Sequence, residues 1–454
     1  MSEFKTSKLS RLTKITASIA KASTQIALDY AIDKTKELKN TIQENRDQVQ
    51  DLTYKIKATK EIIQTMGQMK GALMKLGQMI SITEDMFLPK EITDLFKELQ
   101  RNAPPMSEAS IRKVFHQNFG KNPEEVYKEF NYNSLASASI GQVHLAVLPT
   151  GEKVAVKIQY PEIVKAIKND FQNIHHINRL IEILYPKKPN LDEILVELKT
   201  SLLNECDYEY EYRELLKFKE IYAENFPQVK IPNVYKDFST KEILTMEYME
   251  GVHFDETLSY PQSVKNHLGQ LLYDNFQYSL WCANRLHTDP QNGNFLFTEE
   301  NIILLDFGST REFSEDFLVD YCTLLLSVER KDFELYKIAC YKLKLFSKTD
   351  EESMISTHYD MVLKIYEPYL APGKYAVIDL NPIKHLKEFM DQFEFGGRES
   401  PRREFLLLDR TNLGLFTKLK YWGAEVDWLE GKNKYRKEFN AKVMALYPSH
   451  FSEN

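Results

Sequence analysis

Long apolar runs are missing from this chain. No uninterrupted apolar stretch approaches the roughly 20 residues that a membrane span needs, and no signal-peptide h-region stands out. The expectation is therefore a soluble or peripheral protein. Cysteine is scarce: Cys206, Cys282, Cys322 and Cys340 form no CxxC pair and no ligand-like cluster. They read as reduced, mostly buried thiols of a cytosol-like compartment rather than a disulfide framework. Positive charge is not in surplus either. A net charge of −7 argues against a general nucleic-acid binder, because affinity for the phosphate backbone requires a basic surface.

What is present is enough for a sizeable core. The 454 residues are 43% hydrophobic and 12% aromatic, which allows two or three domains or one large two-lobed unit with additions. The chain is organised around Arg285 to Gly308, RLHTDPQNGNFLFTEENIILLDFG. Here His287, Asp289 and Asn294 have the H-x-D-x-x-x-x-N spacing of a kinase-like catalytic loop, and Asp306-Phe307-Gly308 follows as its DFG. The chemistry explains the spacing. One carboxylate, Asp289, orients an acceptor, while the Asn294 amide and the Asp306 carboxylate hold the Mg²⁺ that bridges nucleotide phosphates. The turn Thr298–Asn301 between the apolar strands Phe295–Phe297 and Ile302–Leu305 predicts a hairpin that brings Asn294 and Asp306 to one metal. DFG alone is common in turns; the constellation is what carries the signal.

Upstream, QVHLAVL, the turn Pro149–Glu152 and KVAVKIQ predict a second hairpin. It ends on Lys157 in the context V-A-V-K, the nucleotide lysine of kinases. The glycine-rich loop expected before it is lacking, and Ala136-Ser137-Ala138-Ser139-Ile140-Gly141 stands instead. Alanine and serine restrict backbone torsions, so this loop should approach phosphates less freely. Within residues 203–212 acids fall at 205, 207, 209 and 211. Glu211 is the expected partner that aligns Lys157, and the long separation requires a helical insertion between them. Glu209 reads as solvated. Glu242–Met249 is the expected hinge strand, where backbone groups of Glu247 and Met249 would hydrogen-bond adenine. After Gly308 no long activation segment and no A-P-E follow, and an amphipathic helix is predicted from about Ser314. The remainder to 450 reads as largely helical, broken around 394–403, with the aromatics of 421–428 as packing.

Two N-terminal stretches leave alternatives open. Residues 1–28 carry Lys5, Lys8, Arg11, Lys14 and Lys21 with apolar residues near helical spacing. They read equally as a basic amphipathic helix on an anionic membrane or as a solvated tail, and a transit peptide would carry more Arg. In residues 66–105 a methionine stripe at helical spacing reads as core. Lys75 and Gln78 are polar within it, and the lysine needs a carboxylate or a route to water; Glu205 could answer it.

Together these elements resemble the UbiB family, the AarF/ADCK atypical kinase-like ATPases linked to ubiquinone biosynthesis. The resemblance rests on Lys75-Leu-Gly-Gln78, the alanine-rich Ala136–His144, Val154–Pro161, Glu205-Cys-Asp207, His287–Pro290 and Asp306–Arg311, in order, over about residues 65–430. It implies an α+β, two-lobed protein-kinase-like fold with an N-terminal helical K-x-G-Q extension and a mostly helical C-lobe. The domains would be a charged helical extension over 1–64, the K-x-G-Q extension folded over the active site at 65–130, an N-lobe with a helical insertion at 131–250, and a C-lobe at 251–454. By the same resemblance Lys75 meets Glu205 of the E-x-D pair, and the alanine-rich loop biases the site towards ADP and against phosphorylation of protein in trans. The family's usual H-A-D-P-H-P-G-N is here HTDPQNGN, with Gln291 and Asn292 replacing His and Pro, and Ser137 replaces a common Ala.

The expected function is an ATP- and Mg²⁺-dependent ATPase of this type, supporting prenyl-quinone lipid metabolism at a membrane surface. Its partners would be ATP/ADP, anionic membrane lipid and a quinone-precursor lipid, with no nucleic acid. The compartment would be cytoplasmic and peripheral, or mitochondrial in a eukaryote. Three other readings stand beside it. A small-molecule phosphotransferase of the aminoglycoside/choline-kinase type shares the His-x-Asp loop but does not need Lys75–Gln78 or the alanine-rich loop. A conventional protein kinase lacks its activation segment here. A silent nucleotide-binding scaffold would not need Lys157, Asp289, Asn294 and Asp306 together.

Overall fold

The computed structural model describes residues 106–138, 140–165, 167–168, 192–376, 381–393 and 401–452. Two compact units divide the chain. One is formed by residues 105–161, 203–394 and 399–454, the other by 1–104, 162–202 and 395–398. In the second, the described residues are helical at 163–165, 167–168 and along the first part of α3 (Asp192–Glu205). Everything below concerns the first unit.

Its N-terminal part is an antiparallel sheet of β1 (Glu129–Ser137), β2 (Gly141–Val147), β3 (Lys153–Gln159) and β5 (Ile243–Glu247) in the order β1-β2-β3-β5. Before it come α1 (Glu108–Phe119) and the single turn α2 (Pro123–Val126). Side chains alternate across a strand, and β3 uses both of its faces. Val154, Val156 and Ile158 form a core with Ile111, Val114 and Phe115 of α1 and with Tyr127. Lys157 and Gln159 point the other way, where Gln159 donates to the carbonyls of Cys206 (2.9 Å) and Lys241 (3.1 Å).

On that opposite face lies α4 (Tyr208–Ala223). Asp207 caps it, accepting from the N–H groups of Glu209 and Tyr210, the usual way of satisfying a helix's free amino-terminal donors. Its buried stripe, Tyr208, Glu211, Leu215, Phe218 and Tyr222, follows the 3.6-residue period. The strand β4 (Val229–Lys230) then pairs in parallel with β8 (Ile302–Leu304), itself the second arm of a hairpin with β7 (Phe295–Phe297). A further two-stranded ribbon joins β6 (Arg285–His287) to β9 (Thr310–Glu312).

The C-terminal part is helical. After α5 (Phe254–Thr257), the helix α6 (Gln262–Trp281) buries Leu268, Leu272, Phe276 and Leu280. Ser314 caps α7 (Glu315–Arg330), and its hydroxyl accepts from the Phe317 N–H at 3.3 Å. There follow α8 (Phe333–Lys342), α9 (Glu352–Tyr366), β10 (Lys374–Tyr375), α10 (Pro382–Gln392), α11 (Arg403–Trp422), β11 (Val426–Asp427), α12 (Trp428–Tyr435) and α13 (Lys437–Leu446). Trp422 and Trp428 are buried packing, as expected, each with its indole N–H bonded, to Thr257 Oγ1 (2.7 Å) and the Tyr375 carbonyl (3.1 Å). Tyr421 is exposed. The mixed α+β expectation, a small antiparallel sheet followed by a helical region, is borne out.

One packing detail makes the helical part sensitive to acid. His358 of α9 sits among the rings of Tyr336, Phe346 and Phe389, with the Tyr336 hydroxyl 2.5 Å from its Nδ1. Burial pushes its pKa down to about 4. Between that value and the ordinary one near 6.5 the unfolded chain binds one more proton than the folded chain, so stability is lost as pH falls through this window. Urea denaturation between pH 7 and pH 4 should show this loss, with a slope approaching ~1.4 kcal/mol per pH unit from this group. His358→Gln, which keeps an acceptor for Tyr336, should flatten that part of the profile.

Candidate active site

The centre of the site is a lysine shared by two carboxylates. β3 delivers Lys157 to α4, where its Nζ lies 2.9 Å from both oxygens of Glu211, and to Asp306 Oδ2 at 2.6 Å. Lys157 is 5% exposed and Glu211 0%. The Tyr208 ring completes the lysine's surroundings at 5.2 Å. Asp306 Oδ1 accepts the Gly308 N–H at 2.9 Å, and Glu211 Oε1 accepts the Phe307 N–H at 3.3 Å, so the DFG backbone is tied to α4 as well as to its own aspartate. Phe307, fully buried, packs on Phe218 of α4 and edge-on to His287.

The catalytic loop is held from the ribbon and hairpin on either side of it. His287 Nε2 bonds the Asp306 carbonyl, and the Thr288 N–H donates to the Ser309 carbonyl at 2.9 Å. The Leu305 N–H donates to the Asn294 carbonyl at 3.0 Å, which sets Asn294 at the start of the hairpin whose far end leads into Asp306. The Asn294 side chain donates to the Asp289 carbonyl at 3.4 Å. Asp289 is buried and receives Arg410 Nη2 of α11 on Oδ1 at 2.7 Å.

Two carboxylates, Glu211 and Asp306, meet at the Lys157 ammonium. Burial works against Lys157's charge, but Asp306 and Glu211 outweigh it and hold its pKa well above the ordinary value. Burial and the neighbouring Asp306 push Glu211 up to about 7 against the pull of Lys157. A divalent cation bound at Asp306 would offset that carboxylate's charge. Among the described residues no group of three or more His, Cys, Asp or Glu is placed to hold a metal ion. Mg²⁺ does not need one, since it binds through one or two protein oxygens together with phosphates and water. Asp306 and Asn294 therefore fit as its protein ligands.

Beyond the geometry, sequence comparison decides the family. The ABC1 atypical kinase-like domain model matches residues 98–339, more than half of the chain. The chain belongs to the ABC1, or UbiB, family. The atypical kinase COQ8 of Saccharomyces cerevisiae mitochondria is 32% identical over 304 residues, covering 66% of this chain and 60% of that protein. The mitochondrial COQ8 of Schizosaccharomyces pombe is 30% identical over 370 residues, covering 80% and 60%. This chain thus spans 60% of the length of both relatives. Among solved structures, that of Rv3197 from Mycobacterium tuberculosis in complex with erythromycin covers 86% of this chain and 98% of its own, with a TM-score of 0.59 and 24% identity. At that identity the likeness is one of fold.

The UbiB sequence elements fall in the structure as follows. Glu205 is buried directly against the DFG glycine; a Cβ on Gly308 would come within 3.0 Å of Glu205 Cγ. Asp207 is the cap of α4, with Lys241 Nζ 3.9 Å away. Lys75, Gln78 and Ser139 lie outside the described residues, as does the whole of residues 1–105. The alanine-rich loop is tight: Ala136 and Ser137 pair with Val143 and Gln142, and the Ala138 N–H donates to the Gly141 carbonyl at 2.9 Å. At the expected hinge, the Glu247 N–H donates to the Asn233 carbonyl (2.7 Å) and the Glu247 carboxylate accepts from the Asn233 side-chain amide (2.7 Å). Met249 follows, half-buried, just after β5. No described helix is long and apolar enough to cross a membrane.

Three residues outside the motifs also converge on this candidate site. Glu214, three after Glu211 and so on the same face of α4, accepts from Arg285 of β6 (2.6 Å) and from the Thr310 hydroxyl of β9 (2.7 Å). A second buried acid one turn on from the expected one was the available signal. Arg410 and Lys418 on α11 reach the catalytic loop from over 120 positions away. No local pattern marks them in α11, which also carries Arg403, Glu404, Asp409 and Lys420.

Proposed function

We propose that the chain is a Mg²⁺- and ATP-dependent, kinase-like ATPase of the UbiB type that supports ubiquinone or related prenyl-quinone lipid metabolism at a membrane surface, with little transfer to protein. The observation that carries this reading is the buried Lys157–Glu211 pair joined by half-buried Asp306, with Asn294 and Asp289 beside it. In this reading Lys157, aligned by Glu211, holds the α- and β-phosphates. Asn294 and Asp306 hold Mg²⁺, whose charge offsets that of the β- and γ-phosphates. Asp289 orients the attacking oxygen. The alanine-rich loop Ala136–Ser139 limits how closely backbone approaches the phosphates, favouring ADP. Glu247 and Met249 supply the adenine contacts through their backbones. Lys75 and Gln78 are assigned, with Glu205 and Asp207, to closing the acceptor side, and the basic stretch 1–28 to anionic lipid. The mitochondrial COQ8 relatives support the quinone link.

Phosphate release from ATP, followed with and without anionic liposomes and a quinone-precursor phenol, tests this. Slow hydrolysis stimulated by both, with no label on a peptide run alongside, is expected. Efficient transfer to peptide, or to a soluble small molecule regardless of lipid, would replace the reading with an ordinary phosphotransferase, including the aminoglycoside/choline-kinase type.

A further inference from the structure

One face of α11 is built around two residues of the catalytic loop. Arg410, Gly414 and Lys418 recur at i, i+4 and i+8, so they lie one above another on the helix. Arg410 Nη2 bonds Asp289 Oδ1 at 2.7 Å. Lys418 Nζ donates to the Pro290 carbonyl and lies 4.7 Å from the Phe295 ring. Gly414 meets the proline ring between them: a Cβ there would stand 2.2 Å from Pro290 Cβ and 2.3 Å from Cγ, so any larger residue would push the loop away.

This face is a costly way to make a helix stick. Arg410 is 5% exposed, and its Nε and Nη1 are buried without a hydrogen-bond partner. Each such orphaned donor forfeits the hydrogen bond that water would give it in the unfolded chain. Lys418 is 3% exposed and rests on a carbonyl rather than a carboxylate. Burial pushes its pKa down to about 7, against the pull of Asp289. Apolar side chains of similar volume hold helices together at least as well as buried ions do. The two cations instead converge on the carboxylate and the following carbonyl of the loop that does the chemistry.

We propose that Arg410 and Lys418 are positioning residues for catalysis. Arg410 fixes the orientation of the Asp289 carboxylate, and Lys418 fixes the Asp289–Pro290 backbone through the Pro290 carbonyl. The inference rests on the ATPase reading above. A carboxylate displaced by about 1 Å from its productive pose costs on the order of 10²-fold in rate. The expected signature is therefore in kcat, with nucleotide binding untouched, since neither residue touches Lys157 or Asp306.

The test uses the full chain with Lys418→Met, Arg410→Gln and Arg410→Lys, measuring kcat and KM for ATP, ADP affinity and melting temperature beside wild type. Lys418→Met keeps the stem's packing beside a cavity of about 50 Å³ that Lys418, Pro290 and Phe295 line, and it removes a buried ammonium. It should melt at or above the wild-type temperature while kcat falls at least about tenfold. Arg410→Gln should lower kcat about 10²-fold with KM and ADP affinity within about threefold, and Arg410→Lys should recover part of the loss. If Lys418→Met and Arg410→Lys turn over like wild type, the inference is overturned. It is equally overturned if activity falls only in step with melting temperature and nucleotide affinity, which marks a structural role. Wild type that neither binds MgATP nor releases phosphate would instead overturn the ATPase reading, and this assignment with it.

Discussion

Asp306→Asn should abolish the rise in melting temperature that MgATP produces, yet leave the nucleotide-free protein as stable as wild type. The second half of that expectation comes from the charge arrangement. Lys157 keeps both Glu211 oxygens at 2.9 Å, and an asparagine oxygen can still accept the Gly308 N–H that Asp306 Oδ1 accepts now. Removing the Asp306 charge also relieves Glu211, which Asp306 helps to push up to about 7. The first half follows because Asp306 is the only charged oxygen ligand offered to the metal in this reading. A ligand at a hundredfold excess over its Kd stabilises by about 2.7 kcal/mol, a shift that differential scanning fluorimetry resolves. Titrations with MgATP, MgADP and EDTA-treated nucleotide would decide the matter. A shift in Asp306→Asn equal to that of wild type would falsify the metal assignment.

Lys157→Met has the opposite balance: it should damage the apo protein as well as the site. The substitution leaves Glu211 and Asp306 without their cation, and Glu211 is completely buried. Breaking a buried pair by removing one partner costs about 3–5 kcal/mol. The cost depends on pH in a known direction. Glu211's pKa is already raised by burial and by Asp306, and losing Lys157 raises it further. A carboxyl whose folded-state pKa is raised contributes stability present at low pH and lost as pH rises through that pKa. Urea denaturation should accordingly show a larger deficit at pH 8 than at pH 5.5. Adding Glu211→Leu should restore much of the stability without restoring nucleotide binding, because the ion pair is replaced by packing while the phosphate contact stays absent. A single variant with wild-type stability at pH 8 would mean that the pair is not held in isolation from water as the structure has it.

The contrast between legible and illegible parts of the site is a matter of sequence distance. Asn294 and Asp306 were readable because one hairpin joins them, and hairpins announce themselves through alternation and turn residues. Lys157 was readable from a strand pattern, and β3 does present it opposite to Val154, Val156 and Ile158. The cap role of Asp207 was also local, though its place in an acidic run concealed it. Arg410, Gly414 and Lys418 were not legible. Nothing in α11 itself distinguishes an amphipathic helix that packs on α6 from one that also grips a loop 121 positions earlier. Such pairings depend on where whole elements come to rest, which a periodicity argument does not reach. The 71-position bond between Glu214 and Arg285 belongs to the same class.

That last bond bears on control. In many kinases the helix carrying the lysine's glutamate swings, and a phosphorylated segment after DFG sets its position. Here α4 is anchored at two successive turns, by Lys157 on Glu211 and by Arg285 and Thr310 on Glu214. Only Ser309–Phe313 separate Gly308 from the cap of α7. No stretch is left there to act as a covalent throttle. Any swing of α4 would have to part both of these ion pairs together.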